Sequence, residues 1–172
     1  MEYWDAYDQF RKPLGYRIRR GDPIPDGAMH LVVHMLYYNS QGEVLVQRRS
    51  NDQEFGAGLW FLTVGSALAG ETSRDACLRE TQEELGFTPD LASAEIPITT
   101  TIRQNIVDVY VIRADVAITD MHLQRSEVAE VAWLDRAAFV ALVHDRKKFC
   151  EIHYLDLLVQ LLDEAGYIWN RS

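Results

Sequence analysis

The densest group of chemistry-bearing side chains lies between positions 65 and 86: Glu71, Arg79, Glu80, Glu83 and Glu84, with Gly65 and Gly70 ahead of them and Gly86 behind. Thr72-Ser73-Arg74-Asp75 fits a capping box and Gly86 follows Leu85 as a C-terminal glycine does, so the spacing predicts a helix from 72 to 85. At 3.6 residues per turn, Glu80, Glu83 and Glu84 stand at i, i+3 and i+4 and share one face, with Cys77, Leu78, Thr81 and Leu85 on the other. Like charges so placed cost a helix roughly 0.2–0.5 kcal/mol per solvated pair, and more when covered. A local cation or divalent metal relieves that penalty. Carboxylate oxygens on a rigid helix, beside a backbone carbonyl in a tight loop, are what magnesium requires. The plainer interpretation is an acidic face that meets water. Against it stand the glycines of the preceding loop, Glu71 at the helix mouth, and Arg79, which can brace a carboxylate and hold the loop to the helix.

The elements that must position this helix are legible on either side of it. The run MHLVVHMLYY (29–38) predicts a strand buried on both faces, Asn39-Ser40-Gln41-Gly42 a turn, and EVLVQRR (43–49) the second strand of a hairpin. Residues 50–58 predict a loop, 60–64 a short strand ending in the loop GSALAGE, and 95–103 and 105–116 two further strands. A loop to Ser126, a strand over 128–134, a helix capped by Asp135 through Val143, and a last helix with Ile152, Leu155, Leu158, Val159 and Leu162 at helical spacing, ended by Gly166, complete the pattern. Strands interleaved with two or three helices predict an α/β fold, a mixed sheet covered by helices. Residues 1–27, punctuated by Pro and Gly, form a leader of strand or hairpin packed on the domain that occupies 28–172.

At 172 residues the chain has room for one domain, and 48% apolar and 25% charged residues are near the globular average. A formal net charge of −9 argues against a nucleic-acid polymer as partner, so any phosphate it handles needs local neutralisation. Cys77 and Cys150 lack paired spacing and read as buried filler. No apolar run of spanning length and no basic-then-apolar start is visible, so the expectation is a cytoplasmic protein without a membrane partner. The strand-rich leader and the apolar last helix could support a homodimer.

Residues 65–87, GSALAGETSRDACLRETQEELGF, resemble the Nudix hydrolase signature: a Gly, five residues, Glu, seven residues, Arg-Glu, an aliphatic, any residue, Glu-Glu, any residue, Gly, an aliphatic. Gly65, Glu71, Arg79, Glu80, Glu83, Glu84 and Gly86 fill the seven fixed positions in register. Thr81 and Phe87 depart from the aliphatic positions, and Val64 replaces a glycine that often precedes Gly65 while keeping a carbonyl to offer a metal. Gly58-Leu59-Trp60 and Glu-x-x-Trp-Leu at 130–134 are similar to further landmarks, so the resemblance covers about residues 28–145.

The resemblance implies a Nudix-type α/β/α sandwich that hydrolyses a diphosphate linkage in a nucleotide or nucleoside diphosphate derivative, a small-molecule substrate. Mg²⁺, with Mn²⁺ as a substitute, would sit on Glu80, Glu83, Glu84 and the Val64 carbonyl, with Gly65, Glu71, Arg79 and Gly86 as structural support. Relatives take the general base either from the helix or from a later loop. Here Glu127 is preferred over Glu130 for the second role. Arg48 and Arg49, or Arg17, Arg19 and Arg20, could hold terminal phosphates, and Trp60, Tyr110 or Phe55 could stack a base. The loops 50–58, 103–105 and 117–127 are where substrate selection would lie.

Two other readings compete. The segment MHLVVHMLYYNSQGEVLVQRRS, with His30 and His34 on one strand face, and WDAYD near the start resemble isopentenyl-diphosphate isomerase, a Nudix-fold enzyme with histidine metal ligands. That isomerase needs a cysteine and a histidine where this chain has Val64 and Ser66, neither of which can replace them. A non-catalytic nucleotide-sensing module would show a broken box, and every carboxylate of this one is present.

Overall fold

The fold turns on β3 (His30–Tyr38), a strand buried at all but its last residue. The computed structural model describes residues 1–164, 168 and 169. β3 runs parallel to β8 (Asn105–Arg113) over its whole length, His30 opposite Asn105 and Tyr38 opposite Arg113. It is antiparallel to β6 (Thr63–Ser66), with Val33 opposite Gly65. It also turns into β4 (Val44–Arg49), so parallel and antiparallel ladders share one strand and the sheet is mixed. β5 (Trp60–Phe61) and β9 (Val128–Leu134) pair with β4, and β7 (Glu95–Ile102) pairs with β8, making seven strands.

Alternation along β3 then divides the core. Leu31, Val33, Met35 and Tyr37 face one cluster, which includes Ala76, Cys77 and Leu85 of α1 (Ser73–Leu85). Val32 and Leu36 face the other, built from Phe139 and Val143 of α2 (Arg136–Val143) and Leu155, Leu158 and Leu162 of α3 (Leu155–Leu162). Helices therefore cover both faces of a mixed sheet, the α/β sandwich that the pattern predicts. Both cysteines are free and buried. No helix among the described residues is long and apolar enough to cross a membrane.

Two expectations need correction. The run 60–64 is two strands rather than one, because the chain passes from the β4 edge at Trp60 and Phe61 to the β3 edge at Thr63; Gly65 and Ser66, read as loop, belong to the second. The run 105–116 leaves the ladder at Arg113, where β3 ends opposite it. The final helix occupies Leu155–Leu162 with Asp163 at its C-cap; Gly166 lies outside the described residues.

The leader forms a hairpin, β1 (Tyr3–Tyr7) against β2 (Pro13–Arg19), in a two-stranded sheet of its own. It is tied to the sandwich by a Tyr7–Met29 bridge, by the Ala69 N–H donating to the Tyr3 carbonyl (2.7 Å), and by a two-pronged pair from Arg11 to the buried Asp108 (2.6 and 2.8 Å). Burial works to raise the Asp108 carboxyl, and the hydrogen bonds from Arg11, Thr99 and Ser73 overcome it, so its pKa lies below the ordinary value.

α1 is bounded as expected. Thr72 caps it in a reciprocal box with Asp75, and Gly86 ends it in the left-handed region at φ 78°. A Cβ on Gly86 would stand 2.8 Å from the His122 backbone nitrogen as well as in a strained φ. Gly86→Ala is therefore expected to destabilise the fold by roughly 2–4 kcal/mol. Calorimetric unfolding would show this as a melting temperature lower by about 5–12 °C.

Candidate active site

Glu80, Glu83 and Glu84 of α1 line one cavity of about 260 Å³ together with Val64, Gly65 and Glu127. Their environments differ. Glu84 is 5% exposed and accepts a hydrogen bond from Gln47 Nε2 (2.8 Å), and Gln47 is held in turn by Thr63 Oγ1 (3.0 Å). Burial first, then the nearby charges of Glu80 and Glu127, push its carboxyl up to about 8. Burial also raises Glu80, with Glu83 adding to it and Arg79 opposing. Glu83 is half-exposed at the cavity rim.

Arg79 is the strap of this site. Its guanidinium bonds both oxygens of Glu71 (2.7 and 2.9 Å) and the Ser66 carbonyl (2.8 Å), and reaches Glu80 (2.9 Å) and Glu83 (3.1 Å). Glu71 also accepts from the Leu68 N–H (2.8 Å), so one ion pair fixes the loop, the strand end and the helix together. Opposite it, Gly65 gives Glu80 its place: a Cβ there would stand 2.0 Å from Glu80 Cγ and 2.5 Å from Oε1. The glycine is needed for space, not for its backbone angle.

Glu127 arrives from the loop before β9. That loop is stitched to the end of α1, the His122 N–H donating to the Leu85 carbonyl (2.9 Å) and the Gln124 N–H to the Glu84 carbonyl (3.0 Å); the Glu127 N–H then bonds the Gln124 carbonyl (2.8 Å). Glu130 lies elsewhere, paired with Arg48 across β4 and β9 (3.0 Å). Of the two arginines expected to hold terminal phosphates, Arg49 lines the cavity and Arg48, paired with Glu130, does not; neighbouring residues of a strand face opposite sides. Arg20 of the leader lines it too, bonded to Glu2 (2.6 Å), whereas Arg17 and Arg19 pair with Asp5 and Asp22. Of the aromatic candidates, Trp60 and Tyr110 pack in the two cores and Phe55 is 60% exposed.

Gln47, Gln124 and Glu2 were not singled out by the sequence. Gln47 carried a signal, a polar residue inside a buried strand; the other two carried none.

The donor set fits a hard divalent cation. Glu84 has no cationic hydrogen-bond partner among the described residues, and the nearby charges of Glu80 and Glu127 add to its burial in disfavouring its ionised form, a cost that a bound metal would remove. Among the described residues, no three acidic, His or Cys side chains already converge in ligating geometry; Arg79 holds Glu80 and Glu83. A cation entering the cavity would share those two with Arg79.

Comparison with known proteins agrees with the motif. The NUDIX domain family matches residues 28–154. An uncharacterised Nudix hydrolase of Listeria monocytogenes is 35% identical over 94% of this chain and 95% of its own length. An isopentenyl-diphosphate Δ-isomerase of Paenarthrobacter aurescens is 30% identical over 83% of this chain and 81% of its own. Among solved structures, DR0079 of Deinococcus radiodurans superposes with a TM-score of 0.74 at 23% identity, covering 95% of this chain and all of that one, which establishes the fold. The chain belongs to the Nudix family.

Because the three atoms nearest a Cβ on Gly65 all belong to the Glu80 side chain, which can rotate away, Gly65→Ala should fold while expelling Glu80 from its seat. The expected outcome is an unchanged melting curve with a 10–100-fold weaker Mn²⁺ affinity, read by paramagnetic resonance of the free ion.

Proposed function

We propose that this protein is a Mg²⁺-dependent hydrolase that cleaves the diphosphate linkage of a nucleotide or nucleoside diphosphate derivative. The observation that carries the reading is the assembly of Glu80, Glu83, Glu84 and Glu127 round one cavity whose most buried member, Glu84, has only an amide for a side-chain partner among the described residues. Glu80, Glu83, Glu84 and the Val64 carbonyl would hold the ion, with Mn²⁺ able to replace it. Bound there, Mg²⁺ would neutralise oxygens of the P–O–P bridge and acidify a water.

The remaining work falls to the chain itself. A Glu127 carboxylate oxygen takes the proton of the attacking water. Arg49, tied to Gln53 Oε1 (2.7 Å) and the Phe55 carbonyl (2.8 Å), and Arg20 place their positive charge on the cavity wall, where they orient a terminal phosphate in an otherwise acidic protein. Arg79 and Glu71 keep the helix and the loop in register, so that the carboxylates do not relax apart. Val64 has no proton to give and Ser66 is a poor ligand, so the isomerase chemistry lacks its acid and its histidine at this site.

Product analysis on a panel of nucleoside diphosphates and their derivatives, with and without Mg²⁺, tests this directly. Glu83→Gln and Glu84→Gln should fold and lose about 10²-fold or more in kcat. Glu127→Gln should lose a comparable ~10²–10⁴-fold in kcat while keeping the parent's metal affinity. Full activity in all three variants, or turnover of isopentenyl diphosphate alone, would refute the reading.

A further inference from the structure

A second cavity, of about 440 Å³, opens beside the carboxylate site and shares Arg20, Arg49, Val64 and Ser66 with it. That volume is within the ~300–1,000 Å³ of small-molecule sites. Its far wall comes from the leader hairpin. Trp4 of β1 lies flat on His30 of β3, ring centroids 4.0 Å apart and planes 11° from parallel. Each ring carries a buried nitrogen with no hydrogen-bond partner among the described residues, Trp4 Nε1 and His30 Nδ1, although His30 is only 5% exposed. A buried polar atom left so costs about 1–3 kcal/mol, and two of them in one stack beside one cavity describe a place that a ligand completes.

The chemistry of the wall narrows the ligand. The guanidinium groups of Arg20, Arg49 and Arg103 can only donate, as can the indole Nε1 buried behind the wall, so the charged part of the wall favours acceptor atoms. Its one carboxylate, Glu151, is engaged by Arg146 (3.1 Å). Between the donors the surface is apolar and aromatic, with Phe61 beneath and Phe55 exposed on the loop that Arg49 anchors. Flat apolar faces with donors at the edge suit a planar heterocycle, since aromatic walls bind its faces and the donors its carbonyl oxygens. A branched hydrocarbon would leave every donor unmet.

We propose that the leader hairpin completes the substrate site, with Trp4 and His30 receiving a carbonyl-bearing base on the group attached to the diphosphate. The proposal rests on the hydrolase reading, in which the adjoining cavity holds the diphosphate. Trp4 is then a specificity-determining residue: it meets the part of the substrate that does not react. Its interaction is made equally in the ground and transition states, and its loss raises KM and leaves kcat alone.

Trp4→Phe keeps the stack and deletes the donor, and Trp4→Ala removes the wall; melting curves establish that each is folded. Uridine and guanosine, uncharged and added without metal, should shift the Trp4 indole N–H resonance of the parent protein. Their affinity should fall about 3–10-fold in Trp4→Phe, the range for one hydrogen bond, and further in Trp4→Ala. With Mg²⁺, the same variants should raise KM for uridine and guanosine diphosphates at constant kcat and leave methyl diphosphate unaffected. An unmoved Trp4 resonance, parent-like nucleoside affinity in both variants, or stronger binding of isopentenyl diphosphate than of either nucleotide overturns the proposal. A parent protein that binds uridine through Trp4 but cleaves none of these diphosphates overturns the hydrolase reading and upholds the cavity assignment.

Discussion

Five glutamates, Glu2, Glu80, Glu83, Glu84 and Glu127, line one small cavity, and the cost of keeping acidic groups so close is the constraint to which the surrounding structure answers. Left alone, Glu80, Glu83 and Glu84 would turn towards water, since ionising them together within one turn of helix is costly and burial has already raised the Glu80 and Glu84 carboxyls. Three features prevent it. Gly65 lacks the Cβ that would push Glu80 out, the Gln47–Thr63 pair reaches the buried Glu84, and Arg79 spans Glu71, Glu80, Glu83 and the Ser66 carbonyl. The result is a site with its charge stored and only partly neutralised.

The sandwich exists to hold that helix still. α1 presents Cys77, Thr81 and Leu85 to the face of β3 that carries Met35 and Tyr37, with the Tyr37 hydroxyl bonded to Thr81. Thr81, which departs from the aliphatic usual in the family motif, is accommodated in the core because its hydroxyl is bonded to the Tyr37 hydroxyl and the Cys77 carbonyl. The far end of α1 is closed by Gly86 and by the loop over 117–127, whose bonds to the Leu85 and Glu84 carbonyls bring Glu127 to the cavity.

Much of this was legible in the residues alone. The helix could be bounded to within a residue because caps are local chemistry: Thr72 with Asp75, then Gly86. Burial of β3 on both faces was equally plain from its β-branched and aromatic run, interrupted only by His30 and His34. The division at Leu62 was not, because the switch from one neighbouring strand to another depends on partners distant in sequence. Among site residues, those inside the motif could be named one by one, and of the paired guesses Glu127/Glu130 and Arg48/Arg49 the chain itself could not say which member faces inward. A bulge between Arg48 and Arg49 and the strand alternation decide that, and both belong to pairing geometry. The places of Trp4 and Glu2 on the cavity walls were not legible, since they depend on how the leader docks.

The most direct test of the central claim is a titration of the protein with Mn²⁺, followed by paramagnetic resonance and competed with Mg²⁺, in the parent chain and in Glu84→Gln. Saturable binding in the parent, displaced by Mg²⁺, and binding weakened at least 10-fold in the variant are expected. Indistinguishable titrations, with the variant folded, would mean that the carboxylates of α1 do not hold the cation.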